Sequence, residues 1–376
     1  MFRKFLGKNI ELSTCGHLEQ FGVFEGHVHC KGEEARVRKV IVTGGAGFIG
    51  SHLVERLLSE QNEVTVLDNF IGGTMDNLKA VRSNRKLTIW EEDVGNAAEI
   101  LEGFNDIDTV FHLAALADIV PSIQEPKRYL DANVAGTVSV LEAARKCNVK
   151  RFVYAASSSC YGVPKVYPTA EIAPISPMYP YALSKYLGEE CVLHWWKTYG
   201  LPVVSLRFFN VYGPRARTTG AYGAVFGVFL AQKLAGYPFT VVGDGSQTRD
   251  FTFVSDVVDA LIVAEQSAVE GEIFNVGSGN TYTVNQLVDL LGGAVTHIPR
   301  RPGEPDCTFA DITKIKKCLG WSPKVEFQDG VKVMLENIDH WKTAPLWTAD
   351  GIVEATSDWF KYLSPSKVDH DLEQET

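Results

Sequence analysis

Tyr181 and Lys185 stand four residues apart in Tyr181-Ala182-Leu183-Ser184-Lys185, so a helix through them puts both on one face. Such a pair can serve as a base toward an alcohol. A free phenol, with a pKa of about 10, is a poor base at neutral pH, and a nearby ammonium favours the phenolate. Moving that pKa to about 7 takes roughly 4 kcal/mol of differential stabilisation, which a partly desolvated cleft with positive charge could supply. Tyr179 is a competing phenol, but the residue four positions on is Leu183, not a lysine. Alone, the Tyr/Lys spacing also fits an ordinary solvated helix.

Two further patterns narrow the chemistry. Ala156-Ser157-Ser158-Ser159-Cys160-Tyr161-Gly162 follows a strand pattern, where an open sheet places its ligands. A hydroxyl there can share a proton moving to Tyr181; a plain polar loop would read the same. Thr43-Gly44-Gly45-Ala46-Gly47-Phe48-Ile49-Gly50 sits between a strand pattern and a helical run. Glycines at 44, 47 and 50 let backbone N–H groups approach a pyrophosphate at a helix N-terminus. Asp68 closes the next strand pattern, where an acid accepts both ribose hydroxyls of an adenosine and repels a 2′-phosphate. A structural turn followed by a capping acid is the plainer alternative. Asn69 and Phe70 follow with no arginine, so the pattern favours NAD over NADP. The expected cofactor contacts here are Gly44, Gly47, Phe48, Ile49, Gly50, Asp68 and Asn69. Asp93-Val94 could hold the adenine edge, or Asp93 could N-cap the next helix.

The elements that would position these groups alternate regularly. Strand patterns at Lys39–Thr43, Val64–Leu67, Leu87–Trp90, Thr109–Leu113, Arg151–Ala155 and Val203–Leu206 are mostly apolar. Helical patterns lie between most of them, including Phe48–Leu58, Asn133–Arg145 and Tyr181–Trp196. This predicts an α/β fold: a Rossmann-like, doubly wound parallel sheet. The expected divisions are an N-terminal extension over 1–38, a nucleotide-binding domain over 39–206 with a return segment at about 250–277, an interleaved smaller C-terminal substrate-binding domain over 207–345, and a tail over 346–376.

Composition sets the outer bounds. The 376 residues carry 36 Lys+Arg against 46 Asp+Glu, a net charge of -10, and that acidic balance argues against nucleic acid as a partner. No apolar run reaches the roughly 18 residues of a membrane span, so no membrane partner is expected. Seven cysteines without a CxxC pair predict reduced thiols and a cytoplasmic location. His17, His27, His29, Cys15 and Cys30 fit no familiar zinc spacing, so no metal is expected, and a β-rich arm is the blander reading of that segment.

Taken together, Gly44/Gly47/Gly50, Asp68, His112-Leu113-Ala114-Ala115, Asn133, the serine run, Tyr181/Lys185, Arg207-Phe208-Phe209-Asn210-Val211-Tyr212-Gly213-Pro214 and Arg249-Asp250-Phe251 resemble the extended short-chain dehydrogenase/reductases. The resemblance runs from about Val40 to His340 and points to a nucleotide-sugar 4-epimerase of the UDP-galactose type. It implies that Ser157, Tyr181 and Lys185 are catalytic and that NAD also meets Val94, Leu113, Ala114, Ala115 and Asn133. By the same resemblance, Ser157, Ser158, Ser159, Tyr181, Asn210, Arg249, Arg301 and Thr308 meet a UDP-sugar, with the arginines suited to clamping phosphate. A homodimer is a further family expectation.

In such relatives the tyrosine removes the C4 hydroxyl proton while hydride passes to NAD, giving a 4-keto sugar. Dehydratases of the family carry Thr-Asp-Glu where this chain has Ser157-Ser158-Ser159, and decarboxylases carry a Glu at Ser159. Without those carboxylates, return of hydride to the other face is the outcome left. Thr308 is small at the position that gates the sugar pocket, and Gly220–Val225 resembles epimerases of UDP-N-acetylglucosamine. The expected substrates are UDP-GlcNAc/UDP-GalNAc, with UDP-Glc/UDP-Gal beside them and UDP-glucuronate as the alternative. A non-catalytic NAD sensor is the alternative from another class, and relatives of that kind typically lose the Tyr or the Lys.

Overall fold

The computed structural model describes residues 37–217 and 224–364. The N-terminal arm, its candidate zinc ligands, Gly220–Gly223 and residues 365–376 lie outside the described residues.

Apolar runs too short for helices form the strands β1 (Lys39–Thr43), β2 (Glu63–Asp68), β3 (Leu87–Glu91), β4 (Thr109–His112), β5 (Arg151–Ser157) and β6 (Val203–Phe208). A later strand, Glu272–Val276, joins the edge beside β6. The seven lie in the order Glu272–Val276, β6, β5, β4, β1, β2, β3, and every pairing is parallel. Most of their residues are buried on both faces, which is why they read as continuous apolar runs rather than alternating ones. One face packs on helix α1 (Phe48–Ser59) and the helix Val254–Gln266, through Leu53, Leu57, Val257 and Leu261. The other packs on the helices Gly136–Lys146 and Pro180–Tyr199, through Val140, Leu141 and Val192.

The order of strand addition reverses between β1 and β4, so the connections leaving those two parallel strands diverge and open a crevice at their C-terminal ends. Thr43 pairs with His112 at that level, and Ser157 closes β5 two strands away. Every candidate catalytic group thus comes from an element that ends at, or packs beside, this edge.

A second core gathers Phe226, Phe229, Phe251, Phe327 and Val331 around Tyr212. Tyr212 stacks on Phe226 at 4.6 Å, and Tyr282 on Phe327 at 4.3 Å. Its strands are two to four residues long.

The segment expected as a tail from residue 346 contains two short helices before Ser364. Ala349–Ala355 and Ser357–Leu363 are helices, held by buried Ile352 and Trp359. Trp359 Nε1 donates to the Pro302 carbonyl at 2.7 Å. Two apolar anchors in a polar stretch are enough to dock short helices, but they are too few to give a periodic signal.

Candidate active site

The glycine turn links β1 to α1. Gly44 has φ +68°, and a Cβ there would lie 2.8 Å from the Ala114 nitrogen. At Gly50 a Cβ would lie 2.2 Å from the Gly44 carbonyl oxygen, so only glycine lets α1 sit on the turn. Gly47 is the N-cap, and no side chain caps the helix, leaving its first N–H groups facing the crevice end. Phe48 and Ile49 supply backbone at this end while their side chains pack against the second core. Leu113 and Ala114 donate their N–H groups to Thr43 Oγ1 at 3.1 and 3.2 Å, so β4's exit is tied to β1's; Ala115 beyond them is exposed.

Asp68 closes the cradle. Its Oδ2 accepts Ala46 N–H at 2.9 Å and its Oδ1 accepts Phe70 N–H at 2.8 Å. Burial raises its pKa, and those two bonds pull it back. Each oxygen keeps a lone pair for a ribose hydroxyl. Together, the cradle that a Cβ would fill, the uncapped helix end and this carboxylate fit a dinucleotide. Asn69 donates to Asp93 Oδ2 at 2.7 Å, and Asp93 Oδ1 accepts Gly95 N–H at 2.7 Å. Asp93 therefore closes a turn and is not the N-cap of the next helix, which is Asn96. The Val94 side chain is buried in the core beside Ile100 and Val140.

Asn133 has no exposed surface. It lies in a widened helical turn, Asp131–Ala135. Its Oδ1 accepts Leu116 N–H at 2.8 Å, while Nδ2 donates to the Leu116 carbonyl at 2.9 Å and to Ser184 Oγ at 2.8 Å. These bonds fix the loop after β4 to the helix Pro180–Tyr199.

That helix begins with Pro180 at its first turn and carries Tyr181 and Lys185. The nearby Ser157 hydroxyl lowers the Tyr181 phenol's pKa, but burial outweighs this and the net shift is upward. Nearby Asp118 adds to the rise. Lys185 is buried, its Nζ 4.4 Å from the Tyr154 ring centroid, and desolvation lowers it to about 7. The protein alone therefore does not make a phenolate. Further positive charge, brought by a cationic cofactor, has to arrive with the ligand. Ser157 Oγ lies 2.8 Å from Ser159 Oγ and accepts Ser159 N–H at 3.2 Å, so the run is a compact hydroxyl cluster at the crevice. Ser158 follows Ser157 in the same short turn, half-buried. Tyr179 stacks at 6.4 Å on Tyr181 and is pushed further up by burial. Cys160 is buried and inert, pushed up to about 12.

The remaining candidates gather opposite. Thr308 Oγ1 donates to Asn210 Oδ1 at 2.7 Å and accepts Asp250 N–H at 3.0 Å, so the small gate residue is tethered. Arg249 pairs with Glu304 at 2.9 Å, and Arg301 lies 3.6 Å from the same carboxylate and 5.4 Å from the Trp359 ring centroid. Sequence reading assigned no role to Glu304, although it lies within Arg300–Glu304. It also passed over Thr43, which organises both β exits, and Asp250, whose fully buried carboxylate accepts Ser278 and Ala310 N–H groups. Their bonds to Arg249, to Leu113 and Ala114, and to Ser278 and Ala310 join segments mostly distant in sequence, which local spacing does not reveal.

Among the described residues, no helix is long and apolar enough to cross a membrane, and no group of His, Cys, Asp and Glu could hold a metal. The model of the NAD dependent epimerase/dehydratase family matches residues 40–277. A UDP-glucose 4-epimerase of Mycolicibacterium smegmatis is 37% identical over 307 residues, 79% of this chain and 97% of that protein. The crystal structure of a UDP-glucose 4-epimerase from Thermotoga maritima with UDP-glucose is similar with a TM-score of 0.75, at 36% identity over 80% of this chain and 98% of that one. A UDP-N-acetylglucosamine 4-epimerase from Methanobrevibacter ruminantium, in complex with UDP-N-acetylmuramic acid, gives a TM-score of 0.77 at 33% identity over 81% and 99%.

Proposed function

We propose, from the premise that this chain belongs to the NAD-dependent epimerase/dehydratase family, that its substrate pair is UDP-GlcNAc and UDP-GalNAc, with UDP-Glc and UDP-Gal also turned over. The broader activity is NAD-dependent 4-epimerisation of a UDP-sugar, in keeping with the relatives and structures it resembles. The observation that carries the substrate reading is the tethered Thr308. Its hydroxyl is held by Asn210 and by the Asp250 backbone, and a small side chain fixed at the gate supports a substrate with an N-acetyl group.

NAD, held by the glycine turn and Asp68, would supply reversible hydride transfer at C4 of the sugar. The rest of the work falls to the chain's side chains. Gly44, Gly47 and the start of α1 hold the pyrophosphate, and Asp68 holds the adenosine ribose. Tyr181 takes the C4 hydroxyl proton, with Ser157 bridging it from the sugar oxygen. Lys185 would hold the nicotinamide ribose and supply positive charge to the phenolate. Arg249 and Arg301 exchange Glu304 for the substrate's phosphates. Ser158 and Ser159 line the pocket where an acid would divert the keto sugar. Homodimerisation belongs to the same proposal and is read by light scattering. Incubation with UDP-GlcNAc should produce UDP-GalNAc; exclusive conversion of UDP-glucuronate would replace this substrate reading.

A further inference from the structure

The helix that carries Tyr181 and Lys185 holds a third charged group the proposed reaction does not use. Glu189 lies one turn beyond Lys185, with 1% side-chain exposure. Its carboxylate is fixed from β6. Ser205 Oγ donates to Oε2 at 2.8 Å, Arg207 Nη2 donates to Oε1 at 2.5 Å, and Arg207 Nε reaches both oxygens at 3.1 Å. Arg207 also donates to the Tyr161 hydroxyl at 2.9 Å, and Tyr161 donates to Asn275 Oδ1 at 2.7 Å. The network thus joins the helix to the serine turn and the outer strands.

Packing alone does not call for a buried ion pair, since apolar residues of similar volume often serve as well or better. The carboxylate's neighbour suggests its use. Around Lys185, the Tyr154 ring from β5 offers a π face at 4.4 Å. His112 from β4 is held between Thr43 and Thr137 hydroxyls at 2.7 and 2.9 Å and stays neutral, with its pKa near 3. Tyr181 on the same helix is a neutral phenol, and Arg207 stands behind Glu189. Among the described residues, Glu189 is the carboxylate whose charge bears on Lys185.

We propose that Glu189 is a positioning residue for the reaction: clamped by Arg207 and Ser205 four residues beyond Lys185 on the same helix, its carboxylate keeps the Lys185 ammonium charged one turn from Tyr181. The inference rests on the role given to Lys185 above. Burial draws Lys185 down to about 7 and Glu189 opposes that fall. Glu189→Gln removes the opposing charge and leaves Arg207 cationic nearby, so Lys185 loses its proton at lower pH.

The test uses the NAD-loaded protein. The alkaline limb of kcat/KM should move down by about one pH unit or more in Glu189→Gln. The Lys185 side-chain titration, followed by NMR on isotope-labelled lysine and assigned by its loss in Lys185→Met, should move with it. Glu189→Asp should restore most of both. Should the single variant fold poorly, Glu189→Gln with Arg207→Met removes both charges, and the same shift should appear at smaller size. A general loss of activity with an unmoved limb and an unmoved lysine titration would make Glu189 merely structural and overturn the inference. A wild-type protein without turnover would sink the proposed function, while the lysine titration would still decide this point.

Discussion

Replacing Asp68 by Asn tests whether the carboxylate reads the cofactor's ribose. In the native fold its two oxygens each accept one backbone N–H, from Ala46 at 2.9 Å and Phe70 at 2.8 Å. An amide must turn its NH2 toward one of those donors, leaving that N–H unsatisfied at a cost of about 1–3 kcal/mol. That loss falls on both cofactors equally. The discriminating quantity is the ratio of NAD to NADP affinity. Two charge-assisted bonds to ribose hydroxyls become neutral ones, costing NAD about 1–2 kcal/mol. Loss of the negative charge relieves NADP of repulsion that, at an effective dielectric of 20 and a separation of about 5 Å, is roughly 3 kcal/mol per charge pair before screening. The ratio should therefore move toward NADP by about 30-fold or more. Titration calorimetry of cofactor-stripped protein with each cofactor measures it. An unchanged ratio in a variant with native circular dichroism would refute the assignment.

Other substitutions test separate parts. Tyr181→Phe should abolish turnover while NAD stays bound, read by activity and by cofactor absorbance; near-normal rates would remove Tyr181 from its role. Thr308→Tyr should suppress UDP-GlcNAc conversion more than UDP-Glc conversion, and equal loss on both would undo the gate argument. Gly50→Ala drives a Cβ to within 2.2 Å of the Gly44 oxygen and should cost about 1–3 kcal/mol in denaturant melts along with NAD affinity. Lys185 also carries a pH signature. Its pKa falls from 10.5 to about 7 on folding, so the folded state binds fewer protons between those values and gains stability as pH rises through them. In cofactor-free protein, Lys185→Met should melt higher than wild type near neutral pH, and that advantage should shrink toward pH 10; a constant difference would contradict it.

The sheet was legible because its strands are buried on both faces, so β1, β4, β5 and β6 each read as an apolar run between turn residues. The strand Glu272–Val276 was foreseen as a return segment for the same reason. Local spacing also exposed the glycine turn, Asp68 and the Tyr181/Lys185 pair, since each depends on near neighbours. What escaped the sequence depends on distant ones. Asn133 makes three bonds, to Leu116 and Ser184, that its local sequence does not announce. Glu304 meets Arg249 across 55 residues. The two-residue strands Thr248–Arg249 and Tyr282–Thr283 pair antiparallel with no periodicity to announce them. The helices at 349–363 dock on a few anchors such as Ile352 and Trp359 in a segment that otherwise reads as polar.

The central claim is 4-epimerisation through a retained cofactor, and an NMR time course on the purified protein tests it most directly. UDP-GlcNAc, UDP-Glc and UDP-GlcA are incubated in parallel without added NAD. The account predicts that the C4 epimer of UDP-GlcNAc accumulates to equilibrium, with slower conversion of UDP-Glc. Absence of any epimer, even after NAD is supplied, would contradict the claim, and the Ser157–Ser159 reading would be the first to fall.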